Sequence, residues 1–286
     1  MRYTNIETAL AGARALLQQK DIEQPRLDAE VLLAHVLGCS RAALYAGAHR
    51  RLEPGQLQHY NRLVQKRAQG HPVAYLVGHK EFMGLDFTVT PAVLIPRPDT
   101  ELLVETAVHL LSKRAGGRPL MVDVGTGSGA IAVSTAHLVP TLRVLAVDIS
   151  APALEVAQKN ARTHAVDDRV VFLKGSLLEP VMERLNGEPV DIIAANLPYV
   201  PSGDIPGLSR EVRREPLLAL DGGPDGLDLY RQLIPQAQKL IKPGGHLLLE
   251  IGPGQGETAL NLLNNWQAKL YRDLGGRERL IAAEKR

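Results

Sequence analysis

Cysteine occurs once in the 286 residues, at Cys39. That excludes an intramolecular disulfide and any Cys-x-x-Cys metal or redox pair. The usage fits a reducing compartment, so a cytoplasmic protein is expected. Long apolar runs are missing as well. No stretch approaches the roughly 20 apolar residues of a membrane span, and no apolar leader opens the chain. No membrane partner is expected. A charge excess of one sign is also absent, with a formal net charge of +2. A globally basic surface is thereby excluded, and no stable nucleic-acid partner is expected. The nine histidines show no His-Glu-x-x-His or similar spacing, so no metal site is expected.

The length allows two domains, each with its own core. Residues 1–70 read as a small helical bundle. Thr4-Asn5-Ile6-Glu7 has capping-box spacing, and Ile6, Leu10, Ala13 and Leu17 share a helical face. A second helix is predicted over 27–37, stopped by Gly38. Ser40 can cap a third. Pro54 suits the first turn of a fourth, with Leu57, Tyr60, Leu63 and Val64 as its apolar stripe and Gly70 as its end. No motif in this domain names a chemistry, and docking of a protein substrate is the expected role.

Residues 71–95, punctuated by Pro72, Gly78, Gly84 and Pro91, read as a β-hairpin linker carrying the alternating run Leu85-Asp86-Phe87-Thr88-Val89. Ile95-Pro96-Arg97-Pro98-Asp99-Thr100-Glu101 then makes a stiff lead. Asp99 or Thr100 can cap a helix over 102–111, and Gly116-Gly117 ends it. From residue 120 strands alternate with helices. Strands are predicted at 120–124, 143–149, 170–174, 190–195 and 246–251, followed by a closing pair at 268–273 and 279–283. Helices are predicted at 130–138, 152–164, 226–241 and 256–266, with a turn at Lys242-Pro243-Gly244-Gly245. Residues 96–286 therefore read as an α/β domain. Its expected core is a doubly wound, mainly parallel, seven-stranded Rossmann-like sheet.

Two stretches carry chemistry. Asp123-Val124-Gly125-Thr126-Gly127-Ser128-Gly129 ends the first strand in a turn where a ligand can approach the main chain and the next helix offers its N-terminal amides. Asp148 closes the following strand, where a carboxylate can accept bonds from ribose hydroxyls. S-adenosylmethionine or a nicotinamide dinucleotide satisfies this arrangement, since Gly125-x-Gly127-x-x-Ala130 also fits a dinucleotide fingerprint. Asp123 disfavours a pyrophosphate and suits the cationic methionine end of S-adenosylmethionine. Ser176 and Leu177 follow the third strand, where Ser176 can bond an adenine and Leu177 can pack on its face.

The second stretch is Asn196-Leu197-Pro198-Tyr199, which breaks the apolar strand 190–195. An amide nitrogen, or an amino group on an aromatic base, is a poor nucleophile because its lone pair is delocalised. The Asn196 Oδ1 and the Leu197 carbonyl could each accept one of its two protons and favour a pyramidal nitrogen as the new bond forms. Tyr199 could stack on the planar group. Pro198 stiffens the turn, and Leu197 needs to contribute only its carbonyl.

With these residues in hand, the chain resembles the glutamine-N5 methyltransferases of peptide-chain release factors (the PrmC/HemK family). The likeness rests on residues 95–101, the glycine turn 125–129, Asn196–Tyr199 and the run Glu215-Pro216-Leu217-Leu218-Ala219-Leu220-Asp221-Gly222-Gly223-Pro224-Asp225-Gly226. It implies S-adenosylmethionine as donor and the glutamine of a release factor's Gly-Gly-Gln loop as acceptor. The family usually has Asn-Pro-Pro-Tyr where this chain has Leu197. Asn-Leu-Pro-Tyr also resembles ribosomal RNA adenine dimethyltransferases, which keeps adenine-N6 methylation as the alternative. Those proteins carry their extra helical domain after the catalytic one and lack both the Ile-Pro-Arg-Pro lead and the Leu-Asp-Gly-Gly-Pro-Asp-Gly loop. The long loop 201–226 reads as the wall that receives the substrate. Arg97 and Glu101 are candidates for lining the same cleft.

Overall fold

The computed structural model describes residues 4–113, 117–185, 187–273 and 275–286. Gly116 of the expected helix stop lies outside them. The chain divides into two compact units, one of Met1–His79 with Ser209–Arg214, the other of Lys80–Leu208 with Glu215–Arg286.

The first unit is helical: α1 (Ile6–Gln19), α2 (Pro25–Leu37), α3 (Arg41–Ala46), α4 (Pro54–Ala68) and α5 (Val73–Val77). The α1 cap falls one residue later than the spacing suggested. Asn5 Oδ1 accepts from the Thr8 amide at 2.8 Å, and Thr8 Oγ1 accepts from the Asn5 amide at 3.1 Å. Gly38, in the left-handed region at φ +61°, ends α2, and the Ser40 hydroxyl caps α3. The five-residue α5 was read as linker because so short a helix shows no periodicity. Leu17, Leu32, Leu33 and Tyr60 fill the core. The segment Ser209–Arg214 belongs here through Glu211, which pairs with Arg67, a buried side chain that also donates to Asp28 at 2.6 Å.

The second unit begins at Lys80, inside the hairpin of β1 (His79–Phe82) and β2 (Leu85–Thr88). Met83 and Gly84, at φ +52° and +74°, form its two-residue turn. Phe82 and Phe87 meet edge to face at 6.1 Å and are buried in this unit's core. Asn160 Oδ1 accepts from the Thr88 amide at 2.8 Å, and its Nδ2 donates to the Thr88 and Ser128 carbonyls. From Lys80 onward the hairpin is thus part of the second unit.

The large sheet comprises β3 (Leu120–Val124), β4 (Arg143–Asp148), β5 (Val170–Lys174), β6 (Val190–Ala195), β7 (Ile241–Glu250), β8 (Trp266–Arg272) and β9 (Glu278–Lys285). Its order is β5-β4-β3-β6-β7-β9-β8, parallel from β5 to β7 and antiparallel at β9 and β8. Flanking it are α6 (Glu101–Ser112), α7 (Ala130–Leu138), α8 (Ala151–Thr163), α9 (Glu179–Leu185), α10 (Asp228–Leu240) and α11 (Gly256–Asn261). Every residue of β3 and β6 is buried, which explains why both are apolar apart from Asp123 and Asp191. Strand order reverses between β3 and β6, so their carboxyl ends define the crevice where such sheets bind ligands.

Three expectations change. The turn 242–245 lies within β7 as an irregularity: Ile241 pairs with Val190 and His246 with Ile192. Helix α11 stops at Asn261, and Trp266 opens β8 instead, buried against the core. The amphipathic α9 was not anticipated.

Candidate active site

A cavity of about 220 Å³ opens at the carboxyl ends of β3, β4 and β6, room for an organic ligand rather than a single water. Its wall includes Gly125, Thr126, Gly127, Ser128, Asp148, Ser176, Leu177, Asn196, Leu197 and Pro198. Residues far apart in the chain are gathered there because parallel β3 sits between β4 and β6.

The glycine turn is tight. Gly125, Gly127 and Gly129 all have positive φ, and the Gly127 amide donates to Asp148 Oδ2 at 2.8 Å. The Ser150 amide holds the other carboxylate oxygen at 2.9 Å. Burial raises the Asp148 pKa, opposed by these amides. Leu177, a non-glycine residue at φ +48°, is held in a sparsely populated conformation on the cavity wall.

Asp123, Gly129 and Tyr199 do not contribute to this wall. Asp123 is fully buried beneath the turn, where Oδ2 accepts from the Thr126 hydroxyl at 2.6 Å and the Ala132 amide at 3.1 Å. Burial pushes its pKa up to about 7. Among the described residues it braces the turn through these bonds. Gly129 serves packing, since a Cβ there would lie 3.1 Å from that of Ala157. The Leu197 side chain is not free to vary as expected. It is 4 % exposed, and its Cδ2 would lie 3.1 Å from a Cβ at Gly125.

Asn196 Nδ2 donates to Thr100 Oγ1 at 3.1 Å. Its Oδ1 accepts no hydrogen bond from the described residues. Thr100, expected as a helix cap, makes no side-chain cap bond and instead stands against Asn196. Glu250, at the end of β7, is 2 % exposed. It lies beside Asn196 because Leu249 pairs with Ala195. Burial pushes its pKa up to about 7, and its Oε2 has no hydrogen-bond partner among the described residues. The Tyr230 hydroxyl bonds the Glu250 carbonyl and reaches the Leu197 carbonyl at 3.3 Å. Burial pushes Tyr199 up to about 12, so it stays a neutral phenol.

Arg97 lines the cavity and pairs with the buried Glu215, which also accepts the Ile95 amide at 3.0 Å. Glu101 instead accepts the Met83 amide at 3.2 Å. Pro216, Leu218 and Ala219 of the long loop complete the wall. Thr100, Glu250 and Tyr230 escaped the sequence reading. A lone acidic residue ending the apolar run Leu247-Leu248-Leu249 was the available signal for Glu250.

Residues 8–78 match the model of the PrmC N-terminal domain, and residues 120–269 that of a methyltransferase domain. A release factor glutamine methyltransferase of Moorella thermoacetica is 46 % identical over 98 % of this chain and 99 % of its own. This chain belongs to the release factor glutamine methyltransferase family. Its Geobacter sulfurreducens relative is 43 % identical over 91 % of this chain and 88 % of its own. A solved hMettl16 catalytic domain, at 12 % identity and a TM-score of 0.56, covers 82 % of this chain and 83 % of its own, a likeness of fold alone. As a release factor glutamine methyltransferase, the chain is an enzyme of the methyl-transfer class, and adenine methylation is not favoured. No helix among the described residues is long and apolar enough to cross a membrane.

Proposed function

We propose that this enzyme uses S-adenosylmethionine to methylate the side-chain amide nitrogen of the glutamine in the Gly-Gly-Gln loop of peptide-chain release factors, in the cytoplasm. One observation carries the reading. Asn196 is turned by Thr100 so that its Oδ1 is left without a donor among the described residues, on a wall shared with Leu197 and the glycine turn. Together with the Leu197 carbonyl it is the acceptor pair that a primary amide nitrogen needs.

The cavity fits the methyl donor in its chemistry. Glycines with positive φ admit close backbone approach, and Asp148 keeps acceptor capacity for hydroxyls. Leu177 offers an apolar face and Ser176 a hydroxyl. These residues, with Gly125 to Ser128, would hold the donor, which supplies an electrophilic sulfonium methyl when bound. Asn196 Oδ1 and the Leu197 carbonyl would each accept a hydrogen bond from one of the two N–H groups of the glutamine amide, one of whose protons leaves to solvent as the N–C bond replaces the donor's S–C bond. Delocalisation into its carbonyl weakens as the nitrogen is held pyramidal. Pro216, Leu218 and Ala219 close the side from which the substrate loop enters. The helical unit, residues 1–70 in the sequence reading, docks the release factor. Incubation of the enzyme with labelled donor, release factor and RNA tests this reading. Label on the one glutamine of Gly-Gly-Gln is expected, and label on RNA adenine contradicts it.

A further inference from the structure

We infer that Gln255 is a positioning residue for methyl transfer. Its side-chain amide fixes the C-terminal end of the Asn196–Tyr199 turn, and with it the direction of the Asn196 amide and the Leu197 carbonyl. The inference rests on the reading of those two groups as acceptors.

Gln255 stands after the end of β7, 9 % exposed and away from the cavity wall. Its Nε2 donates to the Tyr199 carbonyl at 2.9 Å and to the Asp225 carbonyl at 3.1 Å. Its Oε1 accepts the Gly252 amide at 2.8 Å. One side chain therefore joins three backbone segments: the turn after β6, the loop before α10 and the turn after β7. Both amide protons are used, and both are needed.

The surroundings are built to this side chain. Gly226 has φ +79°, and a Cβ there would overlap both the Tyr199 carbonyl oxygen and Gln255 Nε2. At Gly252 a Cβ would lie 3.0 Å from Gln255 Oε1 and 3.1 Å from Tyr199 Cδ2. The other side-chain anchors of the turn, Thr100 on the Asn196 amide and the Tyr230 hydroxyl on the Leu197 carbonyl, both lie before Pro198. The turn's N-terminal end continues from the β6 ladder, but Pro198 has no N–H to give. Beyond Tyr199, the Val200 amide bonds the Leu220 carbonyl at 3.0 Å. Gln255 is what holds the Tyr199 peptide between these points. Acceptors that must aim a nitrogen lone pair lose rate steeply when displaced, by about a hundredfold for 1 Å.

Two variants test the assignment. Gln255→Glu keeps the volume and the acceptor oxygen but removes both donors, and Gln255→Ala removes all three bonds. Donor affinity and stoichiometry are measured by equilibrium titration with S-adenosylmethionine, and kcat and KM with intact release factor. The expected result is a kcat roughly ten- to a hundredfold lower in both variants, with donor stoichiometry, donor affinity and KM within about twofold of the parent. A kcat within about twofold of the parent overturns the assignment. So does a loss of donor stoichiometry that matches the loss of kcat in both variants, because Gln255 is then a folding residue. Asn196→Ala run alongside separates the two readings. If it retains full kcat, the acceptor assignment fails, whatever the Gln255 variants do.

Discussion

Asn196 Nδ2 donates to Thr100 Oγ1 across 3.1 Å, joining the end of β6 to the residue that precedes α6. This bond decides which end of the amide faces the cavity. Thr100→Val keeps the shape and removes the hydroxyl. A hydrogen bond of this kind contributes about 1 kcal/mol, so kcat should fall roughly fivefold or more in steady-state assays. Thr100→Ser should restore most of it. Donor affinity should not change.

Glu250 extends the same argument to pH. Its carboxylate is buried next to Asn196 in the register of β7 and β6, its Oε2 has no hydrogen-bond partner among the described residues, and burial pushes its pKa up to about 7. Protonation replaces an acceptor with a donor beside the Asn196 amide. Transfer should therefore fall as pH drops through about 7. Glu250→Gln, which carries donors at every pH, should be slow throughout and lack that inflection in a kcat profile.

Asp123 predicts a stability trend. Its folded pKa of about 7 lies above the ordinary carboxylate value, so the folded protein holds a proton that the unfolded chain releases. Stability should fall as pH rises from about 4 to about 7 and level off above. Glu250 acts in the same direction. His35 and His71, both lowered by burial, oppose it below their ordinary value. Urea titrations of Asp123→Asn against the parent isolate the Asp123 share. The variant should lose a few kcal/mol of the fall at most, and an unchanged slope contradicts the assignment.

The three glycines of the loop 222–226 are packed too closely for side chains. A Cβ at Gly222 would crowd the Pro198 carbonyl, and one at Gly223 would overlap Asp228. Gly222→Ala should destabilise the protein by about 2 kcal/mol or more, read as a lower urea midpoint at unchanged m-value.

The sheet was legible because β3 and β6 are buried on both faces and so are apolar apart from one aspartate each, Asp123 and Asp191. The glycine turn and Asp148 announce themselves by spacing, and the structure brings them to one cavity with Ser176, Leu177 and Asn196. Thr100, Glu250 and Gln255 were not legible. Each acts through a partner distant in sequence, and nothing local distinguishes a threonine that turns an amide from one that caps a helix. Asp123 shows the converse: its charge was readable, but its burial beneath the turn was not. Trp266 and α9 were misread for a simpler reason, because short elements carry too few turns to show a period.

The central claim is that Asn196 Oδ1 holds the accepting amide. Single-turnover transfer by Asn196→Ala, with donor and release factor both saturating, tests it most directly. Loss of one preorganised polar group of this kind costs about a hundredfold or more in rate. The account predicts that loss with donor binding intact. Transfer at the parental rate would contradict it.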